Sequence, residues 1–85
     1  VLELVPAELA ERITAALTIP TIGIGAGGAC DAQVLVWTDM AGLTANPPKL
    51  AKAYRNLRRE LFNATQEFAE EVRSRKFPTE RETFH

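Results

Sequence analysis

The chain has 85 residues, a formal net charge of −1 and a single cysteine, Cys30. At that length a domain buries only roughly 60% of the surface of its unfolded chain, so any self-contained core is small. The near-neutral balance gives no electrostatic basis for nucleic acid or an anionic membrane surface, one cysteine rules out an internal disulfide, and no run approaches the about 18 apolar residues of a membrane span or forms a signal peptide, so the cytosol is the expected compartment.

Val1, Leu2, Glu3, Leu4 and Val5 read as the end of an apolar strand carrying one acid. Pro6 to Leu17 reads as a helix. Leu9, Ala10, Ile13, Ala16 and Leu17 share one face, with Glu8, Glu11, Arg12 and Ala15 on the other. Pro6 suits the first helical position, and Glu8 with Arg12 forms a favourable i,i+4 pair. Thr18, Ile19 and Pro20 stop the helix. Two strands follow, about Thr21 to Gly25 and Val34 to Trp37, and their lack of alternation predicts burial on both faces. Between them lies the glycine-rich loop Gly25, Ala26, Gly27, Gly28.

Asn46, Pro47 and Pro48 form a rigid connection that continues neither a helix nor a central strand. From Lys49 the spacing of Leu50, Tyr54, Leu57, Leu61, Ala64, Phe68 and Val72 predicts a helix, or two, ended by Pro78. The chain therefore divides into strand and helix units at 1–45 and a helical segment with a tail at 46–85.

In parallel α/β architectures the loops after the carboxyl ends of strands line the ligand face. That placement singles out Glu3, the Gly25, Ala26, Gly27 loop and Asp39. Each has a plainer reading. A lone strand glutamate usually faces solvent. The loop matches neither a P-loop nor a dinucleotide fingerprint, and its glycines serve a tight turn as readily as an anion cradle. Asp39 is equally suited to capping a helix. Cys30 has no nearby histidine or lysine in sequence and reads as a packing residue. Lys49, Lys52, Arg55, Arg58 and Arg59 read as the wet side of a helix, with attraction for a polyglutamate tail as the functional alternative. Asp31 and Asp39 are the only aspartates, and His85 is the last residue, so no metal constellation is visible.

The runs Val1-Leu2-Glu3-Leu4-Val5-Pro6-Ala7-Glu8-Leu9, Ile19-Pro20-Thr21-Ile22-Gly23-Ile24-Gly25-Ala26-Gly27 and Cys30-Asp31-Ala32-Gln33-Val34-Leu35-Val36-Trp37 closely resemble the ketopantoate hydroxymethyltransferase family. So do Asp39-Met40-Ala41-Gly42-Leu43 and the tail Phe77-Pro78-Thr79-Glu80 with Thr83 and Phe84. The resemblance implies an α/β fold, the carboxy-terminal portion of a (β/α)8 TIM barrel with about three strands, followed by a long C-terminal helix or helix pair. Such a barrel takes about 250 residues. The chain, which opens at Val1 inside a strand, is therefore expected to be a terminal fragment, inactive alone.

The implied activity is transfer of a hydroxymethyl group from 5,10-methylenetetrahydrofolate to the keto acid 3-methyl-2-oxobutanoate, giving 2-dehydropantoate for coenzyme A biosynthesis. By resemblance Glu3 is the general base, an apolar wall of Leu2, Leu4 and Val5 raises its basicity, and Gly25, Ala26, Gly27 and Asp39 line the substrate side. Magnesium is the implied cofactor, with its ligands upstream of Val1, and the implied assembly is a homo-oligomer, commonly a decamer. Two departures stand out: Ala32 replaces a glycine of the family's Asp-Gly-Gln, and Glu82 stands where many members carry histidine. Arg58 and Arg59 replace a glycine-containing break, which favours a continuous helix. The rival readings are another metal-dependent keto-acid barrel enzyme, of the phosphoenolpyruvate mutase and isocitrate lyase type, and a non-catalytic helical interaction fragment.

Overall fold

Three short runs, Leu-Glu, Ile-Gly-Ile and Ala-Gln, pair in register into one parallel sheet. A computed structural model describes residues 1–85 and places β1 (Leu2–Glu3), β2 (Ile22–Ile24) and β3 (Ala32–Gln33) in the order β1-β2-β3. Leu2 lies opposite Gly23 and Glu3 opposite Ile24, while Ile22 faces Ala32 and Gly23 faces Gln33. Helix α1 (Ala7–Ala16) connects β1 to β2. Pro6 stands just before it rather than as its first residue, with its carbonyl accepting from Ala10 N–H at 2.9 Å. Glu8 and Arg12 do not close to an ion pair; the one close contact between a basic and an acidic side chain is His85 Nε2 with Glu80 Oε2 at 2.9 Å. The inward row of α1 is Ala10, fully buried, with Ile13 and Thr14 half-buried, whereas Leu9 and Leu17 remain exposed.

The connection from β2 to β3 carries no helix. Residues 25–31 turn back within a few ångströms of β2 because Asp31 grips Thr21, which is 4% exposed. Thr21 N–H donates to Asp31 Oδ2 at 2.8 Å, Asp31 N–H donates to Thr21 Oγ1 at 3.2 Å, and Thr14 Oγ1 of α1 lies 2.9 Å from Thr21 Oγ1. One carboxylate and two hydroxyls thus join α1, β2 and β3 at the amino end of the sheet. Ala32 sits in β3 without a positive φ, so the missing glycine costs no backbone strain there.

The third strand lies two residues earlier than its hydrophobic run suggests. Val34 N–H still donates to Gly23 O at 3.0 Å, but Val34, Val36 and Trp37 are exposed, and Trp37 opens a helix, α2 (Trp37–Met40), instead of closing a strand. Apolar composition marks burial against something, and within this chain the second face of the sheet has no covering element. The run from Lys49 also differs from its periodicity. Residues 49–56 are not helical, and α3 spans Leu57–Arg73, continuous through Arg58 and Arg59. Its start is set by Asn56, whose side chain accepts from Arg59 N–H, and by Leu57 and Arg58 N–H groups that donate to the carbonyls of Ala41 and Gly42 at 3.1 and 3.0 Å. These bonds give three of the orphan donors at the start of α3 their acceptors, two of them carbonyls of the turn just past α2. The helix ends before Pro78, at a left-handed Arg75 (φ 60°), with Lys76 N–H donating to Glu71 O and Arg75 N–H to Val72 O in a Schellman pattern.

No residue of α3 is buried. Leu57, Leu61, Phe68 and Val72 form its apolar stripe and all remain exposed, although the Phe68 ring meets Phe77 edge-on at 5.3 Å. The molecule is correspondingly drawn out, 66 × 27 × 13 Å with a radius of gyration of 21.5 Å. A compact chain of this length has a radius of about 12 Å. No helix is long and apolar enough to cross a membrane.

Candidate functional site

Parallel pairing places the carboxyl ends of the three strands on one side, and the singled-out residues follow those ends in turn. Glu3 is the last residue of β1, Gly25 succeeds the last residue of β2, and Asp39 lies in α2 beyond β3. Glu3 is exposed, with no hydrogen-bond or ion-pair partner in the chain. The flanking apolar wall is partial: Leu2 and Val5 are half-buried, but Leu4 is 67% exposed.

The chain turns sharply after Glu3. Leu4 takes a left-handed conformation (φ 55°) and donates its N–H to Ile24 O at 3.0 Å. Such a conformation is unusual for a bulky residue and is held only by surrounding structure. Here the partner is the glycine loop. Gly25 (φ +65°) is packed so closely that a Cβ would lie 3.1 Å from Leu4 Cδ2 and 3.0 Å from Leu50 Cβ. Gly27 (φ +82°) is equally constrained, because a Cβ would lie 2.7 Å from Ala7 Cβ at the start of α1. Between them Ala26 is 1% exposed. The loop is therefore a rigid turn wedged against both sides of the Glu3 corner, and the tight-turn reading of its glycines holds.

Asp39 departs from both sequence readings of its local role. It neither ends a strand nor caps a helix: Val36 holds the cap position of α2, and Asp39 is the third helical residue, 8% exposed. Its Oδ1 accepts from the Thr44 hydroxyl at 2.5 Å, which folds the segment after α2 back onto the helix. Cys30 behaves as a packing residue, filling the space over Gly23, where a Cβ would lie 2.9 Å from its Sγ.

The cationic segment is split. Lys49, Lys52 and Arg55 belong to the irregular stretch, with Lys52 Nζ 4.7 Å from the Tyr54 ring centroid and Arg55 Nη1 donating to Tyr54 O. Arg58 and Arg59 open α3, so these five residues do not form one wet helical face. No group of three His, Cys, Asp or Glu side chains is arranged to hold a metal ion.

Two residues at the site were not legible as such in the sequence. Gln33 donates Nε2–H to Gly27 O at 2.9 Å, and Leu50 covers Gly25 from a segment far along the chain. A polar residue opening an apolar run was the available signal for the first; for the second there was none.

A family model described as ketopantoate hydroxymethyltransferase matches residues 1–80. A 3-methyl-2-oxobutanoate hydroxymethyltransferase of Acidothermus cellulolyticus is 63% identical over 79 residues, covering 92% of this chain and 29% of that protein. Proteins of the same description from Streptomyces avermitilis and Mycobacterium leprae are 57% and 55% identical, over 100% and 99% of the chain and 30% of their own lengths. The chain thus spans about 30% of the length of the curated relatives it matches. With a match that takes in the Glu3 corner, the glycine loop and α3 together, the chain belongs to the ketopantoate hydroxymethyltransferase family.

Proposed function

We propose that the protein of which this chain is part transfers a hydroxymethyl group from 5,10-methylenetetrahydrofolate to 3-methyl-2-oxobutanoate, giving 2-dehydropantoate, and that residues 1–45 are the last strands of a (β/α)8 barrel with residues 46–85 packed outside it. The observation that carries this reading is Glu3: a single exposed carboxylate on the last residue of a parallel strand, beside a rigid glycine turn. Barrel enzymes draw their reacting groups from that end of the strands.

In this reading the Glu3 carboxylate removes the proton from C3 of the keto acid. The carbon nucleophile so formed makes the new C–C bond to the one-carbon unit, whose bonds to the two folate nitrogens break as water supplies the hydroxyl oxygen and tetrahydrofolate leaves. A base must be free to approach the proton it takes, and the Glu3 carboxylate has no competing side-chain partner in the chain. Gly25, Ala26 and Gly27 form the neighbouring wall, and Asp39 shapes the segment behind it through Thr44. The chain's own residues do not fit a magnesium site. In this reading the magnesium ligands belong to the part of the protein outside these residues. The complete enzyme is taken to act as a cytoplasmic homo-oligomer.

The test is an assay of the full-length protein with 3-methyl-2-oxobutanoate and methylenetetrahydrofolate, following product by mass. Formation of the hydroxymethylated keto acid is the expected result. Absence of any product with a folded, metal-supplemented enzyme overturns the reading.

A further inference from the structure

The loop after β2 carries four consecutive backbone N–H groups, at Gly25, Ala26, Gly27 and Gly28, and none of them donates to an acceptor in this chain. For exposed glycines that is ordinary. For Ala26, 1% exposed, it is not, because a buried N–H without an acceptor costs free energy comparable to a lost hydrogen bond. Successive free N–H groups in a turn with left-handed residues make a concavity suited to an anionic oxygen.

One side chain holds this turn in shape. Gln33 Nε2 donates to Gly27 O at 2.9 Å from the end of β3. Within a trans peptide the carbonyl and the next N–H point in opposite directions, so fixing the Gly27 carbonyl on Gln33 turns the Gly28 N–H away from β3. Gly23, opposite Gln33 in the sheet, makes the room: a Cβ there would lie 3.3 Å from Gln33 Oε1. The other side of the turn is braced by Leu4, the neighbour of Glu3.

Resting on the transferase reading above, we propose that Gln33 is a positioning residue: by holding the Gly27 carbonyl it sets the N–H groups of the Gly25–Gly28 loop to receive a substrate carboxylate at the strand end occupied by Glu3. Both proposed substrates carry that group, the keto acid at C1 and the folate on its glutamyl part. Hydrogen bonds from N–H to a carboxylate are charge-assisted and are made alike in the ground and transition states, so their loss raises KM more than it lowers kcat.

The experiment uses the full-length enzyme with Gln33→Met, which keeps length and loses the donor, and Gln33→Glu, which keeps shape and donates only when protonated. KM and kcat are measured for each substrate between about pH 8 and pH 4.5, where an ordinary glutamate carboxyl is substantially protonated. Gln33→Met is expected to raise KM for one substrate about tenfold with kcat within about twofold, the scale of one well-placed hydrogen bond. Which KM moves identifies the carboxylate. Gln33→Glu is expected to match it at high pH and to recover, relative to wild type, as the pH falls and the new carboxyl gains a proton to donate. Should Gln33→Met not fold, the pH profile of Gln33→Glu decides. Wild-type KM values in Gln33→Met, or a parallel loss of kcat without recovery at low pH in Gln33→Glu, overturns the inference while leaving the transferase reading intact. A wild-type enzyme that makes no product sinks both.

Discussion

Glu3 is the residue on which the proposed chemistry turns. Glu3→Gln preserves shape and removes basicity, so in the complete enzyme turnover is expected to fall by about 10²-fold or more with substrate binding largely kept. Exchange of the substrate's C3 proton with deuterium isolates that step, and an undiminished exchange rate in the variant would remove Glu3 from the role of base. A second carboxylate has a different task. Glu82 accepts hydrogen bonds from the Thr79 hydroxyl and from Thr79 N–H, closing a capping box on the 3-10 turn Glu80–Glu82. The Thr79 hydroxyl first, and its backbone N–H second, hold the Glu82 carboxyl below its ordinary value. With the folded value depressed, the box's contribution is fully present above the unfolded glutamate pKa and is lost as pH falls through the lower folded value. Carboxyl titration by NMR is expected to show Glu82 below the ordinary glutamate value in wild type and moved upward in Thr79→Ala; equal titration in both would contradict the capping bond. Both roles differ in legibility. Glu3 is conspicuous as the one acid of an apolar strand, its role as base coming from the family resemblance, whereas Glu82 reads in sequence only as a departure from a family histidine and its bond to Thr79 is visible only in the fold.

The elements were legible in kind and less so in extent. Helix α1 lies within the expected span, but its inward row is rotated: of the expected apolar face only Ala10 and Ile13 are covered, joined by Thr14, while Leu9, Ala16 and Leu17 are exposed. The third strand is displaced because Val34, Val36 and Trp37 find no cover within this chain, while the polar grip of Asp31 on Thr21 sets β3 beside β2. The same conflict governs residues 49–56: Leu50 and Tyr54 fit a helical period, yet Leu50 is engaged with Gly25, and Asn56 caps α3 only afterwards. Periodicity records burial, and it cannot say which neighbour does the burying. Asp31 therefore makes a sharp test of what joins the elements. Asp31→Ala leaves the N–H of the buried Thr21 without its side-chain acceptor and is expected to lower stability by about 1–3 kcal/mol, with Asp31→Asn milder because it keeps an acceptor oxygen. Urea unfolding of the full-length protein measures both; an unchanged midpoint in Asp31→Ala would show that backbone pairing alone aligns β2 and β3.

Taken as a whole, the molecule exposes more than a self-contained domain does. Its accessible surface is 7174 Å², against about 5,000 Å² for a compact protein of 9.4 kDa. Only Ala10 and Ala26 form the buried apolar core, while Trp37, Leu61, Phe62 and Phe68 all stand more than half exposed. Strands β1 and β3 are both free edges, each presenting unpaired backbone groups beside apolar faces. A chain with so little buried surface cannot offset the conformational entropy lost on ordering its 85 residues, at about 1–2 kcal/mol each for the backbone alone. Purified by itself, the chain is therefore expected to associate or to unfold, and to make no 2-dehydropantoate from the keto acid and methylenetetrahydrofolate, since the face that would complete the site is absent from these residues. Sedimentation velocity and an activity assay on the same preparation check this together. A stable monomer that turns over substrate would show that the sheet edges need no cover and that Glu3 and the glycine loop suffice, which would undo both the barrel placement and the mechanism built on it.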